Sequence, residues 1–348
     1  MSKPTAVSLF TGAGGMDIGF ENAGVKVICA NELNKDACDT YAANHPEVKL
    51  IRGDLTEHME DLKEFIGVDL VFGGPPCQGF SVAGKMDPND ARSQLIWRYL
   101  DVIELLKPKA FVMENVKALA KLEKWADVRK RYLDRVRELG YNCSYWVLNA
   151  SDYGVPQNRE RVFFVGTTGE FDLSAFEANL NSQRTEAPTL RELFGRLPEI
   201  GSEGNPHTCT AKITLAASPV MRKSPYAGMI FNGMGRPLNL DGVSATLPAS
   251  MGGNKTPIVD DELLRNPEAV DWVKEYHGKL WRKEAEAEFG PAPERLRRIS
   301  IVESAAIQTF PIDYKFCGSK SAIYTQIGNA VPCQLAQVVA TAVIETVL

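Results

Sequence analysis

The chain has 348 residues, 44% of them hydrophobic and 24% charged, with a formal net charge of −5. That composition belongs to a soluble protein with room for one large core and a smaller second one, and it offers no general basic surface for polyanions. Seven cysteines without a C-x-x-C pair fit neither a disulfide framework nor a zinc cage and imply a reducing compartment; residues 1–8 carry no secretory pattern, and no apolar run approaches the roughly 20 residues of a membrane span.

From Thr5 to about Gly166, short β-branched runs alternate with helical patterns, which predicts βαβ units around a parallel sheet. The predicted strands are Ala6–Phe10, Lys26–Ala30, Leu70–Phe72, Ala110–Met113, Tyr145–Leu148 and Val162–Val165. The first runs into Phe10-Thr11-Gly12-Ala13-Gly14-Gly15, a glycine turn before a helix. Such a turn lets backbone approach a nucleotide-like ligand, although an ordinary tight turn reads the same way. What strengthens it is Asn31-Glu32-Leu33 at the end of the second strand, where an acid commonly takes ribose hydroxyls. Gly53-Asp54-Leu55 follows where a third strand should end and offers a carboxylate to an adenine amino group.

Next comes Gly73-Gly74-Pro75-Pro76-Cys77-Gln78-Gly79-Phe80-Ser81. Two prolines fix the path and the glycines free it on either side, so the Cys77 thiol is presented as a nucleophile, whereas the other six cysteines read as core residues. Polar residues 79–93, with Gly84 and Pro88, predict a mobile lid. The strand Ala110–Met113 leads into Glu114-Asn115-Val116, where a carboxylate beside a low-dielectric pocket could hold and release a proton; a helix-capping acid is the alternative. A helix over Asp127–Leu139 stops at Gly140, and its Arg129, Lys130, Arg131, Arg135 and Arg137 read as a solvated face. In Gln157-Asn158-Arg159-Glu160-Arg161 the alternating arginines point two positive charges at one site.

From about Thr185 to Pro293 the pattern breaks into Gly, Pro, Asn and Ser punctuation, a second and loop-rich domain. Residues 211–260 hold five basic side chains (Lys212, Arg222, Lys223, Arg236, Lys255) against two acids (Asp241, Asp260), which makes this segment the place to look for a DNA face if DNA is the partner. A charged helical stretch follows over Pro267–Phe289, and apolar helical periods return at Ile299–Ile307 and Val331–Leu348.

These strings, in this order, resemble the DNA cytosine-5 methyltransferase family of the prokaryotic restriction-modification type. The resemblance continues through Arg298-Ile299-Ser300-Ile301-Val302-Glu303-Ser304-Ala305-Ala306-Ile307-Gln308-Thr309-Phe310-Pro311 and Gln326-Ile327-Gly328-Asn329-Ala330-Val331-Pro332, leaving only about 185–294 without firm motifs. Departures are small: Ile299-Ser300 where the family often has Leu-Thr, and Cys333 where a second proline is common.

The resemblance implies an α/β, Rossmann-like sheet with helices on both faces plus a smaller target-recognition domain. The implied domains are 1–184 for catalysis and cofactor, 185–297 for recognition, 298–323 as its base, and 324–348 as a helix returning to the first domain. It implies S-adenosylmethionine as methyl donor and no metal, with Phe10, Gly12, Ala13, Gly14, Gly15, Glu32, Leu33, Asp54, Leu55, Pro76, Leu95, Asn329 and Val331 around the donor. By the same resemblance Cys77 attacks carbon 6 of cytosine, Glu114 serves ring nitrogen 3, and Arg161 with Arg159 holds the base's O2. Ser81, Gln157, Arg222, Asn232, Arg236, Thr246 and Asn254 are the expected DNA contacts, Thr246-Leu247 matching the recognition domain's one recurrent dipeptide. The expected partner is duplex DNA, with a cognate restriction endonuclease as a genetic companion, no membrane, a monomer, and the cytoplasm around the nucleoid. Methylation of RNA, an inactive DNA-binding homologue and an NAD-dependent oxidoreductase are the rival readings; the last leaves Pro75-Pro76-Cys77 and Gln157–Arg161 without a role.

Overall fold

The computed structural model describes residues 3–76 and 94–348; the expectations for Cys77, Ser81 and the lid fall outside them. The chain divides into two compact units, one of Met1–Val155, Arg159–Glu186 and Ala330–Leu348, the other of Pro156–Asn158 and Ala187–Asn329. Residues 298–323, expected as the base of the recognition domain, lie in the second unit, and so do 324–329, expected at the start of the returning helix.

In the first unit lie β1 (Thr5–Leu9), β2 (Lys26–Glu32), β3 (Lys49–Arg52), β4 (Leu70–Gly73), β5 (Ala110–Val116) and β6 (Asn142–Asn149); after β7 (Gln157–Asn158) of the other unit comes β8 (Glu160–Thr167). They form one seven-stranded sheet in the order β3-β2-β1-β4-β5-β8-β6. The first five are mutually parallel, while β8 runs antiparallel to both β5 and β6. The sheet departs from the parallel arrangement at β8 because the connection from β6 has no crossover helix, and a parallel neighbour needs one. Strand order reverses between β1 and β4, and Leu9 pairs with Gly73, so both strands deliver their carboxyl ends to one crevice.

Strand residues alternate between two cores, as the period of 2 requires. Phe72, Val112 and Phe163 point to one side and pack with Met16 and Phe20 of α1 (Gly15–Asn22) and with Leu335, Val339 and Val343. Val71, Phe111 and Phe164 point to the other, in a core with Tyr99 and Ile103 of the helix Leu95–Leu106 and Tyr132 and Val136 of the helix Ala126–Glu138.

The remaining helices, in chain order, are α2 (Lys35–Asn44), α3 (Leu95–Leu106), α4 (Lys117–Lys121), α5 (Ala126–Glu138), α6 (Leu173–Ser182), α7 (Leu190–Gly195), α8 (Asp261–Arg265), α9 (Trp272–Trp281), α10 (Ile301–Ile307), α11 (Lys320–Asn329) and α12 (Cys333–Thr346). Helix α12 lies so close to α1 that a Cβ on Gly19 would sit 2.4 Å from the Cys333 carbonyl oxygen and 2.5 Å from the Ala336 Cβ. The stretch Lys320–Thr346 does reach the length and hydropathy of a membrane span, which the sequence reading missed. Two-thirds of its most apolar window (67%) is nevertheless buried inside the protein, and Pro332 interrupts it.

The second unit is built from β9 (Thr214–Val220), β10 (Met229–Phe231), β11 (Ser244–Ala245), β12 (Ile258–Asp260), β13 (Gly290–Pro291) and β14 (Leu296–Arg298) in three small sheets around Leu215, Phe231, Ile258 and Tyr276. Of the charged stretch over Pro267–Phe289 only α9 is helical, started by Asp271, whose side chain accepts from the Lys274 amide.

Candidate active site

The glycine turn leaves β1 through three left-handed residues, Phe10 (φ 55°), Gly12 (φ 57°) and Gly14 (φ 81°), the last capping α1. A non-glycine residue such as Phe10 is rarely found there, so the turn must be held from outside. Three bonds hold it: the Thr11 amide donates to Asn31 O (3.1 Å), the Gly14 amide to Thr11 O (2.9 Å), and the Gly12 amide to Glu32 Oε2 (2.8 Å). Glu32 Oε1 accepts from the Asn34 amide at 2.7 Å. Each carboxylate oxygen keeps a second lone pair, so Glu32 can bind further donors while bracing the turn. Beside it Leu33 is 68% exposed. A Cβ on Gly12 would meet nothing within 4 Å, so the turn faces open space.

Asn31, 2% exposed, ties this edge to the next: its amide donates to Ile51 O and Gly53 O, both at 3.1 Å. Asp54 then caps a short turn, accepting from the backbone and hydroxyl of Thr56 at 2.8 Å, and these bonds hold its carboxyl below the usual range. Ala13, Gly15 and Leu55 are buried, and Val331 belongs to the core on the α12 side. The Leu55 side chain is buried in the same core cluster as Ile51 and Leu62. Pro76 and Leu95 are half-buried at the two edges of the undescribed segment, and Asn329 closes α11 in the other unit.

At the end of β5, Glu114 is paired with Arg161 of β8, Nε to Oε1 at 2.8 Å, both side chains largely buried. The antiparallel register explains the meeting: Glu114 faces Phe163 and Val116 faces Arg161, two residues along each strand. Burial pushes the Glu114 carboxyl up, and the charges of Arg161 and Arg159 pull against it. A Cβ on Gly74 would lie 2.8 Å from Glu114 Oε2, so a side chain there would push this carboxylate from its place. Asn115, nearly fully buried, donates to Pro75 O at 3.2 Å and fixes the Pro75-Pro76 path that leads to Cys77. Arg159 is anchored through its amide to Asn149 Oδ1 at 3.0 Å, while the Ala150 amide donates to its carbonyl. The sequence reading missed Asn115 and Asn149; for the first, its position inside Glu114-Asn115-Val116 was the available signal.

Four of the other six cysteines hold their thiols well above the ordinary value. Burial lifts the Cys29 and Cys143 thiols to about 12 and Cys38 to about 11, and pushes Cys333 well up as well. Among the described residues no group of three or more His, Cys, Asp or Glu side chains could hold a metal ion.

In the second unit Gln157 needs correcting. It is fully buried, donating to Gln308 Oε1 (2.9 Å) and accepting from the Leu247 amide (3.0 Å), so it braces the Thr246-Leu247 segment rather than facing DNA. Thr246 likewise donates to Asn158 O at 2.7 Å, and the Asn232 amide is committed to Thr214 Oγ1 and Leu215 O at 2.9 Å. Arg222, Arg236 and Asn254 are exposed.

Solved structures with the same fold include the Entamoeba histolytica methyltransferase EhMeth (17% identical, TM-score 0.67) and the Dnmt2 methyltransferase of S. pombe (16% identical, TM-score 0.68), each matched over 99% of both chains. The strand order and the crevice above β1 and β4 thus define a doubly wound, Rossmann-like α/β fold, the class these structures share. Within that class, the family model for C-5 cytosine-specific DNA methylases matches residues 5–345. Similar proteins include the type II methyltransferases M.FnuDI of Fusobacterium nucleatum (34% identical over 98% of this chain and 94% of the relative) and M1.HphI of Haemophilus parahaemolyticus (33% over 98% and 87%). The chain belongs to the C-5 cytosine-specific DNA methylase family and is a DNA cytosine-5 methyltransferase.

Proposed function

We propose that this chain methylates carbon 5 of a flipped-out cytosine within a specific duplex sequence, through a transient Cys77 adduct at carbon 6. The observation that carries the reading is the buried Glu114–Arg161 pair packed on Gly74, immediately before Pro75-Pro76-Cys77. Carbon 5 of cytosine is a poor nucleophile. When the Cys77 thiolate bonds to carbon 6, the electron pair of the 5,6 double bond moves through the ring, and Glu114 supplies a proton or hydrogen bond at nitrogen 3. Arg161, beside Glu114, supplies positive charge at O2. Carbon 5, now enamine-like, takes the methyl group; loss of its proton and expulsion of Cys77 restore the ring.

S-adenosylmethionine, when bound, supplies an electrophilic methyl group on a positively charged sulfur. The residues present fit it: open space at Gly12, spare lone pairs on Glu32 for ribose hydroxyls, and exposed Leu33 for an adenine face. Flipping costs a few kcal/mol of unstacking, which the base pocket must offset. The second unit is proposed as the target reader, with Arg222, Arg236 and Asn254 free to meet base edges or phosphates. A cytoplasmic monomer serving a restriction-modification system completes the reading, the relatives being type II methyltransferases.

Bisulfite sequencing of DNA from cells expressing the chain tests this. Protected cytosines in one sequence context are expected, lost in Cys77→Ser. Full protection by that variant, or methylation of RNA with none of DNA, would overturn the proposal.

A further inference from the structure

Behind the glycine turn lies a buried polar cluster that the proposed chemistry does not use. Asp17, in the first turn of α1, has no exposed surface. One of its oxygens accepts from the Thr11 hydroxyl at 2.5 Å and the other from the Tyr41 hydroxyl at 2.9 Å. Thr11 stands inside the turn, between Phe10 and Gly12. Tyr41, on α2, is also fully buried and stacks on His45, with ring centroids 4.4 Å apart. His45 in turn sits 3.2 Å from Glu21 of α1. One carboxylate therefore joins the turn, α1 and α2.

Burying a carboxylate with only hydroxyl donors and a nearby imidazole is costly, and an apolar residue of that size would fold more readily. Such local departures from a stable core concentrate where function needs a fixed geometry. Here the geometry is the run of left-handed backbone at Phe10, Gly12 and Gly14. The bonds from Thr11 and Gly12 to β2 hold one flank of that run, and the Thr11–Asp17–Tyr41 chain holds the other.

We infer that Asp17 is a positioning residue for methyl-donor binding, setting the turn through the Thr11 hydroxyl while Tyr41 holds the carboxylate from behind. This rests on reading the turn as the donor cradle. Its signature is weaker donor binding with the chemical step intact, because no member of the cluster reaches the proposed reacting atoms.

The test is calorimetric binding of S-adenosylmethionine to the whole chain, alongside steady-state methylation of duplex DNA. Thr11→Val keeps the shape and removes the hydroxyl, and Tyr41→Phe removes the second donor from a site remote from the donor. Both are expected to raise the dissociation constant and KM for S-adenosylmethionine about fivefold to tenfold, the scale of one ordinary lost hydrogen bond. Thr11→Ser should stay near the parental value, and kcat at saturating donor should stay within about twofold for Tyr41→Phe. Parental donor affinity in both Thr11→Val and Tyr41→Phe, or equal weakening in Thr11→Ser and Thr11→Val, overturns the inference. Glu32→Ala separates it from the reading beneath: if that variant binds the donor as tightly as the parent, the cradle is wrong, whereas if it alone loses affinity only the role of Asp17 falls. A variant that fails to fold is recognised by circular dichroism and replaced by the Thr11→Ser and Thr11→Val comparison, which leaves the helices untouched.

Discussion

At the scale of single residues, Glu114 is balanced between burial, which favours its protonated form, and the guanidiniums of Arg161 and Arg159, which favour the carboxylate. Raised above its ordinary value, the carboxyl keeps a proton to higher pH than a free glutamate, which suits the role proposed for it at ring nitrogen 3. Glu114→Gln keeps the shape and a hydrogen-bond donor but loses the transferable proton. Single-turnover methyl transfer should fall about 10² to 10³-fold, while duplex affinity changes little. Parental turnover would remove Glu114 from the mechanism. Asp17 gives a second, thermodynamic prediction. Burial raises its pKa above 3.8, so its contribution to stability is whole below that value and is lost as pH rises through the folded pKa. His45 is lowered by burial but raised more by Glu21 and Asp17, and its contribution, whole below 6.5, is likewise lost as pH rises. Asp17→Asn should therefore gain on the parent in urea unfolding as pH goes from about 4 to about 8; a constant difference would show that Asp17 does not titrate differently on folding. Glu114 was legible in the sequence because a strand that ends on an acid is a pattern. Gln157 was misread, because composition cannot tell an amide that faces solvent from one locked between Gln308 and Leu247.

At the scale of elements, the alternation of apolar runs placed six of the seven sheet strands, and the third was inferred from Gly53-Asp54, just past the end of β3. Direction was not legible: β8 reads like any buried strand, and only its short link from β6 makes it antiparallel. Close approach of helices was equally hidden. Gly19 carries no turn and no ligand, yet α1 and α12 touch at its α-carbon. Gly19→Ala would force backbone atoms of α12 outward and should cost about 2 to 3 kcal/mol by chemical denaturation. A loss below about 0.5 kcal/mol would mean the helices separate freely. Gly235 makes the same prediction for the second unit: its Cβ would fall 2.1 Å from Arg298 Nη1 and 2.5 Å from Thr256 O. Arg298 is itself buried and donates to that Thr256 oxygen at 2.6 Å, so it has little room to retreat. Gly235→Ala should destabilise by a similar amount and blunt DNA binding without touching donor affinity.

At the scale of the whole molecule, an acidic chain must bind a polyanion by distributing its charges, and the ion pairs indicate how. The arginines of α5 are largely consumed: Arg135 pairs with Glu104 and Glu138, Arg137 with Asp134, and Arg131 lies over the Trp97 ring. In residues 211–260 the acids are the ones consumed, Asp241 by Arg191 and Asp260 by Arg295. Lys212, Arg222, Lys223, Arg236 and Lys255 are all exposed, and among the described residues none has a carboxylate partner within 4.0 Å. The sequence count of basic over acidic residues thus understates the field of this segment, since pairing removes the negative terms and spares the positive ones. Each phosphate neutralised releases counterions and adds about 0.9 to the slope of log affinity against log salt on duplex DNA. Arg222→Ala, Arg236→Ala and Lys255→Ala should each lower that slope by up to about 0.9, measured by fluorescence anisotropy across a salt series. Arg137→Ala on α5 should leave it unchanged, since Asp134 already holds that charge. If instead the α5 variant lowers the slope and the three substitutions in the second unit do not, the duplex lies on the first unit's helical face and the second unit is not the reader.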